Sequence, residues 1–231
     1  MTDNETAREA ARVSRRWPLI SGAVAVLLVA GLGAIIALRG NLPSEADAEW
    51  MEEILEHRSP LWEAPALLMD HIGGGIFGVF VVPLLIIAVL CFFRRFVSAL
   101  YFLIATVLSA GIVQLLKNIF ERPRPEDILV VSDIGSFPSG HSANAATMAV
   151  VLGFIIRRLW VWVAGIAYTV LMVLSRTYLG AHWITDTIGG VILGSAVAVI
   201  VWAPFAYRLH QERKGRPRPL IGGRRRPALP R

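Results

Sequence analysis

Cysteine is nearly missing from this chain: Cys91 stands alone among 231 residues, which excludes an intramolecular disulfide and a thiolate zinc site. It lies inside an apolar block, where a packing or lipid-facing role suffices. Period-two alternation of apolar and polar residues is also missing. That excludes a closed membrane barrel and leaves helices as the way to satisfy the backbone in lipid. The first apolar run, Trp17 to Leu38, has no small-residue cleavage pattern at its end and is too long for a signal-peptide core, so it reads as a retained span. The basic segment from Arg208 to Arg231 lacks interleaved aromatics, and no nucleic-acid partner is expected for it.

Apolar residues, by contrast, make up 55% of the chain and are gathered in blocks near the length of a membrane crossing. Six blocks can be drawn: Trp17 to Leu38, Ile72 to Phe93, Phe96 to Leu116, His141 to Ile156, Leu159 to Leu174 and Trp183 to Tyr207. The expected fold is therefore an all-α integral membrane bundle of six transmembrane helices. Its parts are a basic segment 1–16, a six-span domain 17–207 and a basic, Pro/Arg-rich tail 208–231 expected to be disordered. Within the domain, 40–64 is expected to be a partly helical outer loop, because Trp50, Met51, Ile54 and Leu55 fall on one face.

Position gives the cations a meaning. With both termini cytoplasmic, Arg8, Arg12, Arg15 and Arg16, the pairs Arg94–Arg95 and Arg157–Arg158, and the whole basic tail fall inside. That obeys the positive-inside rule, and the tail is suited to anionic headgroups. The protein is then expected in the plasma (inner) membrane as a multi-pass protein. Lys117, Arg122, Arg124 and Arg176 break the trend, each at the outer end of a helix or beside it.

Three outer segments carry the chemistry: Lys117 followed after six residues by Arg124-Pro125, then Pro138-Ser139-Gly140-His141, then Ser175-Arg176, five residues, His182, three residues and Asp186. Cations converging on one place call for an anion, and the guanidinium fork suits phosphate oxygens. Ser139 and Gly140 fall where a helix begins, a ready anion site. His182 and Asp186, four apart, are expected to share a helix face, with Asp186 fixing the imidazole tautomer of a nucleophilic His182. His141 is the candidate general acid. No carboxylate cluster on that side has a metal-binding pattern, so no metal or cofactor is expected. Arg122 is expected either to touch a second phosphate or to be solvated. Asp70, His71 and Gly73-Gly74-Gly75 are expected to open the second span as a helix start with a hinge, with lining of the substrate entrance as the alternative.

These three segments resemble the type 2 phosphatidic acid phosphatase superfamily, which also contains the vanadium haloperoxidases and glucose-6-phosphatase. The resemblance implies phosphate binding by Lys117, Arg124, Ser139, Gly140 and Arg176, a nucleophilic His182, an acidic His141 and an orienting Asp186. It implies a metal-independent membrane hydrolase acting on a lipid phosphate or diphosphate at the extracytoplasmic face through a phosphohistidine. A polyprenyl diphosphate such as undecaprenyl diphosphate is the favoured substrate, with phosphatidylglycerol phosphate or phosphatidic acid as alternatives. A haloperoxidase or a non-catalytic lipid binder fits less well, given the expected spans and the intact histidines.

Overall fold

Long apolar runs broken by arginine pairs, glycines and prolines give a chain whose described regular elements are all helical. The structure is a computed structural model describing residues 3–131 and 135–215, with side chains described from residue 16 onward. The helices are α1 (Asp3–Leu38), α2 (Glu45–Glu56), α3 (Pro60–Gly73), α4 (Val82–Phe92), α5 (Phe96–Phe120), α6 (Gly140–Ile156), α7 (Leu159–Tyr178) and α8 (Ile184–Arg213). A π-helical stretch, Phe77–Val81, joins α3 to α4.

Large apolar side chains face outward along these helices, with Leu27 and Leu28 of α1 each about two-thirds exposed, as a lipid-facing surface requires. Four helices, from Arg16–Leu38, Phe96–Phe120, Leu159–Tyr178 and Ile184–Arg213, are long and apolar enough to cross a bilayer. A fifth crossing forms if α3 and the Phe77–Phe92 segment, bent by 47°, count as one broken span. The remaining expected span is α6, whose 17 residues fall short of the usual crossing length. The broken span starts at Pro60 rather than near Ile72, because Asp70, His71 and the glycine run interrupt a helix that has already begun. At the other end α8 runs on to Arg213, into the segment read as tail. Residues 216–231, on which the disorder expectation falls, lie outside the described residues.

The centre of the bundle is α8, packed against α6, α1 and α5. Small residues permit this closeness: a Cβ at Gly190 or Gly194 would run into the α6 backbone. Thr147 of α6 takes advantage of it, its hydroxyl lying 3.2 Å from the Gly194 carbonyl, 2.8 Å from the Ala143 carbonyl and 2.9 Å from Ser109 Oγ. Tyr101, Phe102, Val151, Leu193 and Val197 complete a dry interior.

Hydrogen bonds between helix ends fix which ends are shared. Asn41, just past α1, donates to the Phe120 carbonyl at the end of α5 (3.2 Å). At the opposite end Glu212 of α8 accepts from the backbone N–H of Val97 (2.7 Å) and Ser98 (3.0 Å), capping the free amides at the start of α5. The start of α1 and the end of α8 thus lie together, away from the ends of α5 and α7 and the starts of α6 and α8. That second set of ends carries the polar residues.

Candidate active site

Lys117 sits in the last turn of α5 and is buried. The helix stops at Glu121, whose left-handed backbone (φ 43°) lets its N–H reach the Lys117 carbonyl at 2.9 Å. The prolines that follow cannot continue a helix, so Arg122 and Arg124 are carried on irregular chain toward α8. Lys117 Nζ and an Arg124 guanidinium N–H both donate to the Gly135 carbonyl, at 2.9 and 3.0 Å. A left-handed φ of 76° and a Cβ position only 3.0 Å from the Lys117 carbonyl oxygen reserve position 135 for glycine. Arg124 also donates to the Ala181 carbonyl at 2.5 Å and lies 3.3 Å from His182 Nε2.

After the cis Phe137–Pro138 peptide, Ser139 is the N-cap of α6, and Gly140 and His141 form its first turn. The Ser139 hydroxyl accepts weakly from the Ser142 N–H (3.4 Å), and the Ser139 N–H donates to the Asp186 carbonyl (2.9 Å), fastening the start of α6 to that of α8. Arg176, in the last turn of α7, is buried and donates to the Asp70 carboxylate of α3. The same Asp70 oxygen is 3.3 Å from His141 Nε2.

His182 lies outside α8, next to its N-cap Trp183, so it does not share a helix face with Asp186 as the four-residue spacing suggests. Glycine at 180 (φ 64°) turns the chain after α7 and delivers the ring into the interior, where the residue is 1% exposed. His182 Nδ1 is 3.7 Å from Asp186 Oδ2, close enough for an ion-pair contact but longer than a hydrogen bond. The Asp186 carboxylate is instead occupied by Arg122 (2.6 Å), the Ser136 hydroxyl (2.7 Å) and the Trp183 N–H (2.9 Å). Burial disfavours the His182 imidazolium most, and the charges of Arg176, Arg124 and Lys117 disfavour it further, holding its pKa well below the ordinary histidine value.

Arg122 corrects the sequence-based expectation. It is not solvated, and two carboxylates of the chain itself occupy its guanidinium: 1% exposed, it bridges Asp186 and Asp47 (2.8 Å) and stacks 5.6 Å above Trp183. Asp47 belongs to α2 and also accepts from the Thr185 N–H (3.0 Å) and hydroxyl (2.9 Å). Burial alone would raise the Asp47 pKa, but Arg122 and the backbone N–H groups of Thr185 and Ser44 outweigh it and hold the carboxyl below its usual range. Asp47 and Ser136 lie outside the three segments and Thr185 fills an unspecified position of the third, so spacing gave no signal for them. Among the described residues, one group of metal-ligating side chains is close enough to hold an ion: Glu53, Glu56 and His57, exposed on α2 and no part of this site.

The chain brings three cations around a buried imidazole at one end of an apolar helical bundle. That defines a membrane enzyme of the phosphoric-ester hydrolase class. Residues 98–210 match the PAP2 superfamily, and the chain belongs to it. It is 30% identical to phosphatidylglycerophosphatase B of Bacillus subtilis (strain 168) over 177 residues, covering 71% of this chain and 86% of the relative. It is 38% identical to the undecaprenyl-diphosphatase of Sulfolobus acidocaldarius over 78 residues, 34% of each chain. The fold is similar to the crystal structure of a transmembrane PAP2-type phosphatidylglycerolphosphate phosphatase from Bacillus subtilis, with a TM-score of 0.69 and 27% identity over 81% of this chain and 96% of that one.

Proposed function

We propose that the protein hydrolyses a lipid phosphate or lipid diphosphate through a phosphohistidine, without a metal, at the extracytoplasmic face of the plasma (inner) membrane. The observation that carries this reading is the buried His182 ring, 3.3 Å from Arg124, with the charges of Lys117 and Arg176 also acting on it. A neutral imidazole keeps a lone pair for phosphorus, while the cations favour the negative charge on the equatorial phosphoryl oxygens. Ser139 and the first amides of α6 extend the cradle.

In the first step His182 forms a bond to phosphorus as the bond to the leaving oxygen breaks, and that oxygen takes a proton from His141. In the second, His141 removes a proton from water, the water oxygen attacks phosphorus, and the N–P bond breaks to release inorganic phosphate. Arg122, Ser136 and the Trp183 amide fix the Asp186 carboxylate beside His182. The site end of the bundle is assigned to the outer face because the arginine pairs and the end of α8 gather at the other end. The substrate's tail stays in the bilayer while its headgroup enters between helices. The names of the relatives support both monoester and diphosphate lipids as candidates.

Rapid quench under alkaline conditions after mixing with radiolabelled lipid phosphate tests the mechanism. Label is expected on His182 in an acid-labile linkage. Turnover with no label on any histidine contradicts the proposed intermediate.

A further inference from the structure

The members of the site differ sharply in accessibility. Lys117, Arg176 and His182 are at most 3% exposed, whereas the side chains of His141 and Asp70 are 22% and 28% exposed. Arg124 is also partly open. A phosphoryl group seated against His182, with its equatorial oxygens on the buried cations, therefore has its leaving oxygen directed toward this rim. The atoms just beyond the leaving oxygen, which faces His141, come next to Asp70.

Asp70 is held there firmly. Its carboxylate is shared between Arg176 and His141 Nε2, and its carbonyl accepts from the Gly74 N–H at 3.0 Å. The break after α3 presses on the same ring, for a Cβ at Gly74 would overlap the His141 imidazole. A carboxylate tied to two elements of the site cannot withdraw without disturbing both.

We propose that Asp70 is a specificity-determining residue that selects lipid phosphomonoesters over lipid diphosphates. This rests on the function proposed above and reverses the preference for a polyprenyl diphosphate expected from sequence. In a diphosphate the group beyond the bridging oxygen is a second phosphate, whose charge faces the Asp70 carboxylate in a partly desolvated rim. Discrimination by a repulsive group of this kind is a common source of specificity. In a monoester the same place is taken by carbon, or by a hydroxyl that can donate to the carboxylate. His141 still supplies the proton in either case, so the effect falls on which substrate is accepted.

The test measures kcat/KM for a polyprenyl monophosphate and a diphosphate sharing one tail, in detergent, for the wild type, Asp70→Asn and Asp70→Glu. Taking the ratio between enzymes cancels the intrinsic difference in leaving groups. Asp70→Asn is expected to raise the diphosphate-to-monophosphate ratio roughly tenfold, as for removal of one like charge from a partly open site, and Asp70→Glu to keep the wild-type ratio. An unchanged ratio in Asp70→Asn, or equal loss on both substrates, overturns the proposal. Should the Asn variant not fold, competitive inhibition of the wild type decides: an alkyl phosphonate is expected to bind more tightly than the methylenediphosphonate with the same tail, and the reverse order overturns it. Wild-type protein that releases phosphate from no lipid removes instead the proposed function on which Asp70 selectivity rests.

Discussion

Arg122 is the residue whose surroundings say most about how the site is held. It is fully buried between Asp186 and Asp47, and a buried charge pair that loses one partner leaves the other uncompensated. Arg122→Ala is expected to cost about 3–5 kcal/mol of stability, from the usual penalty for breaking such a pair. Thermal unfolding in detergent measures it, and an unchanged midpoint contradicts the role. At His182 the expectation is spectroscopic. Burial and three cations disfavour its imidazolium, so in labelled protein this ring should titrate well below pH 6.5. Titration at or above that value contradicts the environment described. The residues of the three motifs could be read from spacing because each motif is local. Asp47 could not, since its partner Arg122 lies 75 positions away and an acid in an acidic outer stretch looks like solvated charge; Asp70 was singled out at a helix start, but its pairing with Arg176, 106 positions away, was not.

At the scale of elements, α2 ties a segment outside the matched superfamily region to the start of α8, beside His182. Ser44 caps it, with the Asp47 N–H donating to the Ser44 hydroxyl at 3.2 Å and the Asp47 carboxylate accepting from the Ser44 N–H at 3.1 Å. The amphipathic pattern around Trp50 signalled a helix there but not its anchor, because the anchor is a buried acid on an otherwise acidic stretch. Since the folded-state pKa of Asp47 is depressed, its contribution is full above the unfolded value near 3.8 and is lost as pH falls through the folded value. Acid unfolding should therefore show a component below about pH 4 that Asp47→Asn lacks. Parallel curves for the two proteins contradict this. A hinge was expected at Gly73-Gly74-Gly75, where the chain bends, but α3 before it was hidden for a different reason: Asp70, His71 and three glycines lower local hydropathy, so an apolar search starts the span near Ile72 rather than at Pro60.

For the whole molecule, the helical class and the order of the apolar blocks followed from composition, because lipid leaves the backbone few options. The number of crossings was less legible. Packing against α8, α7 and α5 together explains why a helix as short as α6 is buried or half-buried along nearly its whole length. Orientation is open to a direct check in a Cys91→Ser background. A membrane-impermeant maleimide added to intact cells should label Glu49→Cys on α2 and spare Lys214→Cys past α8. Both positions are exposed. The reverse pattern contradicts the outer placement of the site.

Distant parts of the chain meet around one buried ring, that of His182, and everything proposed here depends on that ring attacking phosphorus. Phosphate release from a lipid phosphate by the wild type and by His182→Ala tests it most directly. The account predicts a loss of at least about a thousandfold, as for removal of a covalent nucleophile. Equal rates in the two proteins would contradict it.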